Sequence, residues 1–264
     1  MTFTQLIVLA MLQAVTEILP LTSAGHRVLL EPLIGWSQDG SALPVTLALA
    51  ILVYFWRDVG DMVVGVFRAA KGKRDSGARL ALQILTAAVL TIATGVLLQI
   101  YVLGALNPPP AVMGWMMIGT AVLLFFFDRM SMTVKRIEHA TFLDAVLISL
   151  GQVVALYPGI GSVAAMVLIA RLLGYERAAA ARFSFLLAAP VLIAIGIRGL
   201  VATPPQASQT VQGLLPSVAA FFAALIVIAI LMAWLRRGSF TPFVIYRLLL
   251  GAAVLAVGYG WITL

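Results

Sequence analysis

The sequence predicts an all-α integral membrane protein: six transmembrane helices plus two re-entrant helical hairpins, arranged as an inverted 3+3 repeat. Three observations predict it: the composition, the placement of charge between long apolar runs, and two interruptions at Pro and Gly. Of 264 residues, 62% are apolar and only 10% charged, and the mean hydropathy is +1.09. So few charges cannot solvate the surface of a water-soluble domain of this size. The excess of 17 Lys and Arg over 10 Asp and Glu gives a net charge of +7. In a polytopic membrane protein such an excess marks cytoplasmic loops, and nucleic acid is set aside as a partner. The absence of cysteine removes disulfides, zinc–thiolate sites, iron–sulfur clusters and thiol nucleophiles. The N-terminus enters an apolar stretch directly, without the basic region and cleavage site of a secretory signal, and reads as mature structure.

Six runs are long and apolar enough to cross a bilayer core of about 30 Å. They lie near residues 41–56, 80–104, 110–127, 183–203, 214–235 and 241–263. The first is short and needs interfacial flanks; Tyr54, Phe55 and Trp56, followed by Arg57 and Asp58, read as such an aromatic anchor. Regions 3–36 and 141–174 are apolar but broken in the middle, by Pro20 through Gly25 and by Pro158, Gly159, Ile160 and Gly161. Proline removes a backbone donor and glycine loosens the helix, so each region predicts two short helices meeting at a break. Basic residues cluster at 57–79, 128–142, 174–182 and 236–237, whereas the connections 105–109 and 204–213 carry no charge. This pattern closes only if both broken regions return to the side they entered, the first from outside and the second from the cytoplasm. A hairpin and three spans, repeated once, forces the halves (about 1–127 and 141–264 of a single membrane domain, 1–264) into opposite orientations.

Helices that start inside a membrane present free N–H groups and partial positive charge, which suits an anion. Thr22 or Ser23 is expected to cap one such helix and Ser162 the other. Glu17 follows Gln13 by four residues on one helix face in apolar surroundings, where a carboxylate is costly unless paired, protonated or metal-bound. With Thr22, Ser23 and His26 it could supply phosphoryl transfer, giving a nucleophile, a base and oxyanion donors. Set against this, the breaks could be mere kinks, Ser23 a helix cap and His26 a satisfied structural residue. Arg171, Arg198 and Arg247 stand in apolar sequence near helix ends and read as side chains snorkelling to an interface. The ten methionines are dispersed and read as core filling.

Residues 13–26, Gln-Ala-Val-Thr-Glu-Ile-Leu-Pro-Leu-Thr-Ser-Ala-Gly-His, resemble the signature of the integral-membrane undecaprenyl diphosphate phosphatases, the bacitracin-resistance family. The resemblance extends to residues 52–58, 180–190 and 243–251 and covers nearly the whole chain. It implies removal of the terminal phosphate from a C55 lipid carrier during cell-envelope precursor recycling, at a site opening to the outer side of the bacterial plasma membrane. It also implies a divalent cation, Mg or Ca. Carried over position by position, Gln13 and Glu17 match the acidic pair, with Glu17 also the metal ligand. Ser23 matches the proposed nucleophile and His26 the catalytic histidine. Gln13, Thr22, Gly25, Arg27, Gly161 and Ser162 are the expected substrate contacts. The second family motif, Pro-Gly-x-Ser-Arg-Ser-Gly, is departed from: Ser162 stands at its arginine, and one cationic contact to the diphosphate is missing. Arg27 is a possible substitute, set against an interfacial snorkel. A lipid-phosphate transporter or flippase of the same fold is the alternative function, since loss of the arginine would remove chemistry and leave an anion site. A non-catalytic scaffold would leave Glu17 and His26 unexplained.

Overall fold

A computed structural model describes residues 3–34, 42–103, 108–131, 135–202 and 211–262. Among these residues the chain is all-helical apart from one isolated bridge, Lys135 to Tyr175. The helices are α1 (Phe3–Ile18), α2 (Ser23–Ile34), α3 (Leu43–Tyr54), α4 (Trp56–Ala70), α5 (Ser76–Leu98) and α6 (Pro110–Met130). They continue as α7 (Phe142–Val154), α8 (Ser162–Leu172), α9 (Arg177–Ala202), α10 (Val211–Leu235) and α11 (Thr241–Gly258). Five of them, α5, α6, α9, α10 and α11, are long and apolar enough to cross a membrane. The chain is a multi-pass membrane protein.

Both expected breaks are present. α1 stops at Ile18 and α2 begins at Ser23, with Leu19 to Thr22 as the turn. α7 stops at Val154 and α8 begins at Ser162, after Gly159 and Gly161 take positive φ of 101° and 79°. Only glycine holds that backbone without strain. The arms α1, α2, α7 and α8 have 16, 12, 13 and 11 residues, so at 1.5 Å per residue the longest reaches only about 24 Å. α7 and α8 pack along each other, and Gly151 permits it: a Cβ there would lie 2.8 Å from the Met166 amide.

The span expected near 41–56 differs. Its helix is only the 12 residues of α3, because the chain turns at Phe55 (φ −95°, ψ 30°) and restarts as α4. α4 has an exposed apolar stripe of Trp56, Val63 and Phe67 and packs its other side on α5. The aromatic anchor is therefore divided: Trp56 is exposed beneath the Arg57 guanidinium, while Phe55 is buried in the core. Most of the two uncharged connections, 104–107 and 203–210, lies outside the described residues.

Small side chains allow close helix contacts beside buried large ones such as Phe183, Phe185 and Met166. Ala48, Ala50, Ala87, Ala121, Ala145, Ala180 and Ala220 are fully buried, whereas large apolar residues such as Val89, Phe222, Ile230 and Leu249 face outward. Lipid removes the hydrophobic drive between helices, so close approach of small residues does the packing. α3 lies on α9 and α6 on α11; α1 lies on α10 as α7 lies on α5; α10 also packs on α3 as α5 packs on α9.

Charge gathers at one end of the bundle. Asp75 caps α5, accepting from the Gly77 N–H at 2.8 Å, and that hydrogen bond holds its carboxyl below the usual range. Thr141 and Asp144 form a reciprocal capping box at the start of α7. Arg182 on α9 pairs with Asp58 on α4, its Nε donating at 3.0 Å. Deeper, Arg171 on α8 is 1% exposed and pairs at 3.1 Å with Asp128 on α6, which is 3% exposed. This corrects the reading of Arg171 as an interfacial snorkel. The carboxylate lies 43 positions earlier in sequence but at the adjoining helix end, and it makes burial of the guanidinium tolerable. Arg177 Nε also donates to Asp128, at 2.8 Å, and the Phe240 N–H at 3.4 Å. Arg198 stays exposed with Gln99 as partner, in keeping with an interfacial position.

Removing the shared carboxylate leaves Arg171 buried without its counter-charge. Asp128→Ala should therefore lower unfolding free energy by about 3 to 5 kcal/mol, read as a shift of the denaturant midpoint in detergent; an unshifted midpoint would show that the pair is not structural.

Candidate active site at the joined helix breaks

The chemistry-bearing residues of the first break converge because the turn over Leu19 to Thr22 brings the end of α1 against the start of α2. Glu17 sits in the last turn of α1, half-buried, and Ser23 is the first residue of α2. The Ser23 hydroxyl donates to the Glu17 carboxylate in a short hydrogen bond. A carboxylate only accepts when ionised, so this contact aims the serine proton at a base. Arg27, the next turn along α2, exerts an attractive charge on Glu17. Gln13, half-buried one turn before Glu17, takes a hydrogen bond on its backbone carbonyl from Thr16 at 3.1 Å.

His26 is 7% exposed and held at both ring nitrogens. Nδ1 lies 2.8 Å from the Thr22 carbonyl oxygen, and Nε2 lies 2.6 Å from the Tyr246 hydroxyl on α11. A carbonyl oxygen can only accept, so Nδ1 carries the proton and Nε2 presents its lone pair to the phenol. The Thr22 side chain is buried, and Thr22 enters the site through this carbonyl. Gly25 has a packing role: a Cβ there would come within 2.6 Å of Met117 on α6.

The second break is tied to the first by Arg247 of α11, which is 0% exposed. One terminal nitrogen donates to the carbonyl oxygens of Leu21 at 3.2 Å and Pro20 at 3.5 Å. The other donates to Ile160 at 2.9 Å, to Gly159 at 3.2 Å and to the Thr120 hydroxyl on α6. This corrects the reading of Arg247 as an interfacial snorkel: broken helices leave carbonyls without helical partners, and a planar guanidinium with five donors satisfies several at once. Gly161 fits beneath, for a Cβ there would collide with the Leu21 carbonyl oxygen. The expected cap of α8 is also corrected. Gly161, not Ser162, is the N-cap, and no side chain caps that helix, because Ser162 is already its first helical residue. The structure thus groups Glu17, Ser23 and His26 on one break, with Gly161 against it and Ser162 one residue further into α8.

A family model described as bacitracin resistance protein BacA matches residues 6–253. Among curated proteins, undecaprenyl-diphosphatase 1 of Rhodospirillum rubrum is 44% identical over 97% of this chain and 95% of its own. Undecaprenyl-diphosphatase of Ruegeria pomeroyi is 36% identical over 98% of this chain and 100% of its own. That of Desulforudis audaxviator is 35% identical over 95% of this chain and 96% of its own.

Two residues of the site escaped sequence reasoning, Tyr246 and Arg247. The available signal was an arginine inside an apolar span, which is functional by default in a membrane; its partners lie 87 to 227 positions away, beyond any local pattern. Arg247→Ala should leave several buried carbonyls without donors and lower stability by at least about 3 kcal/mol, at 1 to 3 kcal/mol per orphaned group. Arg247→Lys should fall between, since a point charge reaches fewer of them. Denaturant unfolding in detergent checks both, and equal midpoints for all three proteins would deny the clasp.

Proposed function

The chain belongs to the bacitracin resistance protein BacA family, and from that premise we propose that it hydrolyses undecaprenyl diphosphate to the monophosphate, using Ser23, Glu17 and His26. The observation that carries this is the Ser23 hydroxyl donating to Glu17 at the start of α2, with the His26 imidazole three residues on. Ser23 Oγ attacks the terminal phosphorus while its proton passes to Glu17. The bond from that phosphorus to the bridging oxygen breaks, and the lipid monophosphate leaves. Water then attacks that phosphorus, giving a proton to His26 Nε2; the bond to Ser23 Oγ breaks, inorganic phosphate leaves, and Ser23 Oγ takes its proton back from Glu17. The lone pair on that nitrogen suits it to accept. The N–H groups at the start of α2, with Arg27 nearby, favour the anionic substrate.

Ser162 in place of the second-motif arginine leaves that cation absent. Arg247 does not stand in for it as a substrate contact, because it is buried and its terminal nitrogens donate to backbone carbonyls and Thr120. Turnover should consequently sit below that of relatives with the arginine. A divalent cation belongs to the same reading. Among the described residues no three His, Cys, Asp or Glu side chains gather into a metal site. Glu17 and Gln13, however, offer hard oxygen donors four residues apart, and Mg or Ca commonly takes one or two carboxylates with substrate phosphates supplying further oxygens. The residues fit a cation completed by the diphosphate, which would neutralise its charge.

The membrane arrangement is inferred with the activity: two re-entrant hairpins, α1–α2 and α7–α8, six crossings, and inverted halves in the bacterial inner membrane with the site facing outward. The Pro and Gly breaks between paired short arms support the hairpins, and the sixth crossing is assigned to α3 with its flanks. The repeat is supported by the packing of α1 on α10, α3 on α10 and α2 on α11, which returns as α7 on α5, α9 on α5 and α8 on α6 when the halves exchange, although α8 on α9 has no counterpart in the first half.

Purified protein should release phosphate from undecaprenyl diphosphate. Glu17→Gln should lower the rate by about 100-fold or more with the fold intact, and a chelator should do likewise, reversed by Mg or Ca. Diphosphate binding without release by the wild type would favour lipid-phosphate transport instead.

A further inference from the structure

Tyr246 lies in the stretch 243–251 that carries the family resemblance but has no role in the expected site or the reaction steps, yet it makes the shorter of the two contacts to the catalytic imidazole. Its hydroxyl is 2.6 Å from His26 Nε2. The two rings are stacked with centroids 5.6 Å apart and planes 18° from parallel. Tyr246 itself is 43% exposed whereas His26 is 7% exposed. We propose that Tyr246 is a positioning residue for His26: its hydroxyl donates to Nε2 and its ring fixes the imidazole plane, so that the lone pair is held in one direction until the reaction requires it.

The physical case has three parts. The Thr22 carbonyl fixes the proton on Nδ1, which leaves Nε2 a pure acceptor, and a phenol is the matching donor. An imidazole held at one nitrogen alone could still swing about its side-chain torsions; a second hydrogen bond and a stacked face remove that freedom before substrate arrives. Tyr246 is in turn held in place from the helix that bears it. The next residue, Arg247, anchors α11 to both breaks, and Gly114 lets α11 close on α6, where a Cβ would lie 2.7 Å from Leu255. Because Tyr246 as a residue is 43% exposed, its side chain has room to give way when a water or phosphoryl oxygen takes the place of its hydroxyl at Nε2.

This inference rests on the phosphatase reading, and its test separates the two. In protein with Tyr246→Phe, which keeps the ring and removes the hydroxyl, phosphate release from undecaprenyl diphosphate should fall about 10- to 100-fold in kcat. KM should stay within about threefold and the unfolding midpoint should not move. The same change in a His26→Ala background should cost nothing further, because a residue that acts through His26 has nothing left to position. Wild-type kcat in Tyr246→Phe, or the same fold-loss with and without His26, overturns the proposal. Should His26→Ala fall below detection, 15N-histidine spectra decide, taken with His139→Gln so that His26, otherwise one of two histidines, stands alone. The Nε2 resonance should move away from its hydrogen-bonded position on Tyr246→Phe, and an unmoved resonance overturns the proposal. Wild-type protein that releases no phosphate defeats the phosphatase reading instead, and the spectra then still decide whether Tyr246 holds His26.

Discussion

The fully buried guanidinium of Arg247 is the interaction on which the rest of the site depends. Breaking a helix within a membrane exposes carbonyls that neither water nor a neighbouring turn can satisfy. This chain breaks two helices and brings both breaks to one arginine, which donates to Pro20 and Leu21 on one side and Gly159 and Ile160 on the other. The turn that carries Ser23 and Thr22 is thereby fixed from below, and with it the direction of the hydroxyl toward Glu17 and of the imidazole toward Tyr246. Arg247 has no need to touch substrate to matter for catalysis. Its positive charge also lies at the helix break where an anionic group would approach, although its terminal nitrogens donate to backbone carbonyls and to Thr120.

The same economy appears at the opposite, charged end. Asp128 receives Arg171, Arg177 and the Phe240 amide, joining the ends of α6 and α8 to the starts of α9 and α11. Between the two polar centres alanine and glycine allow close helix approach, and large side chains such as Phe183, Phe185, Leu124 and Met166 fill the core beside them. The two polar clusters add directional contacts to this packing.

Much of this was legible in the sequence, for reasons that differ by residue. The breaks were visible because Pro20, Pro158, Gly159 and Gly161 forbid or weaken a helix locally, and local rules need no knowledge of the fold. Glu17, Ser23 and His26 were visible because polar residues in an apolar run are costly, and they come within ten positions of one another. The shortness of α3 was not, because hydropathy averages over the turn at Phe55. Arg171 and Arg247 were misread as snorkels since each looks alike from sequence whether it reaches an interface or a distant partner. Asp128 and the four broken-helix carbonyls become partners only once the helices are packed. Ser162 was given the cap by position, and the backbone of Gly161 took it instead.

The central claim is that the clasped break makes Ser23 the attacking group. The direct measurement is a rapid-quench reaction with undecaprenyl diphosphate labelled in its terminal phosphate, followed by peptide mapping. The account predicts label bound to the peptide containing Ser23, its absence from Ser23→Ala, and loss of turnover in that variant. Ser23→Ala protein that still releases phosphate at the wild-type rate would contradict it.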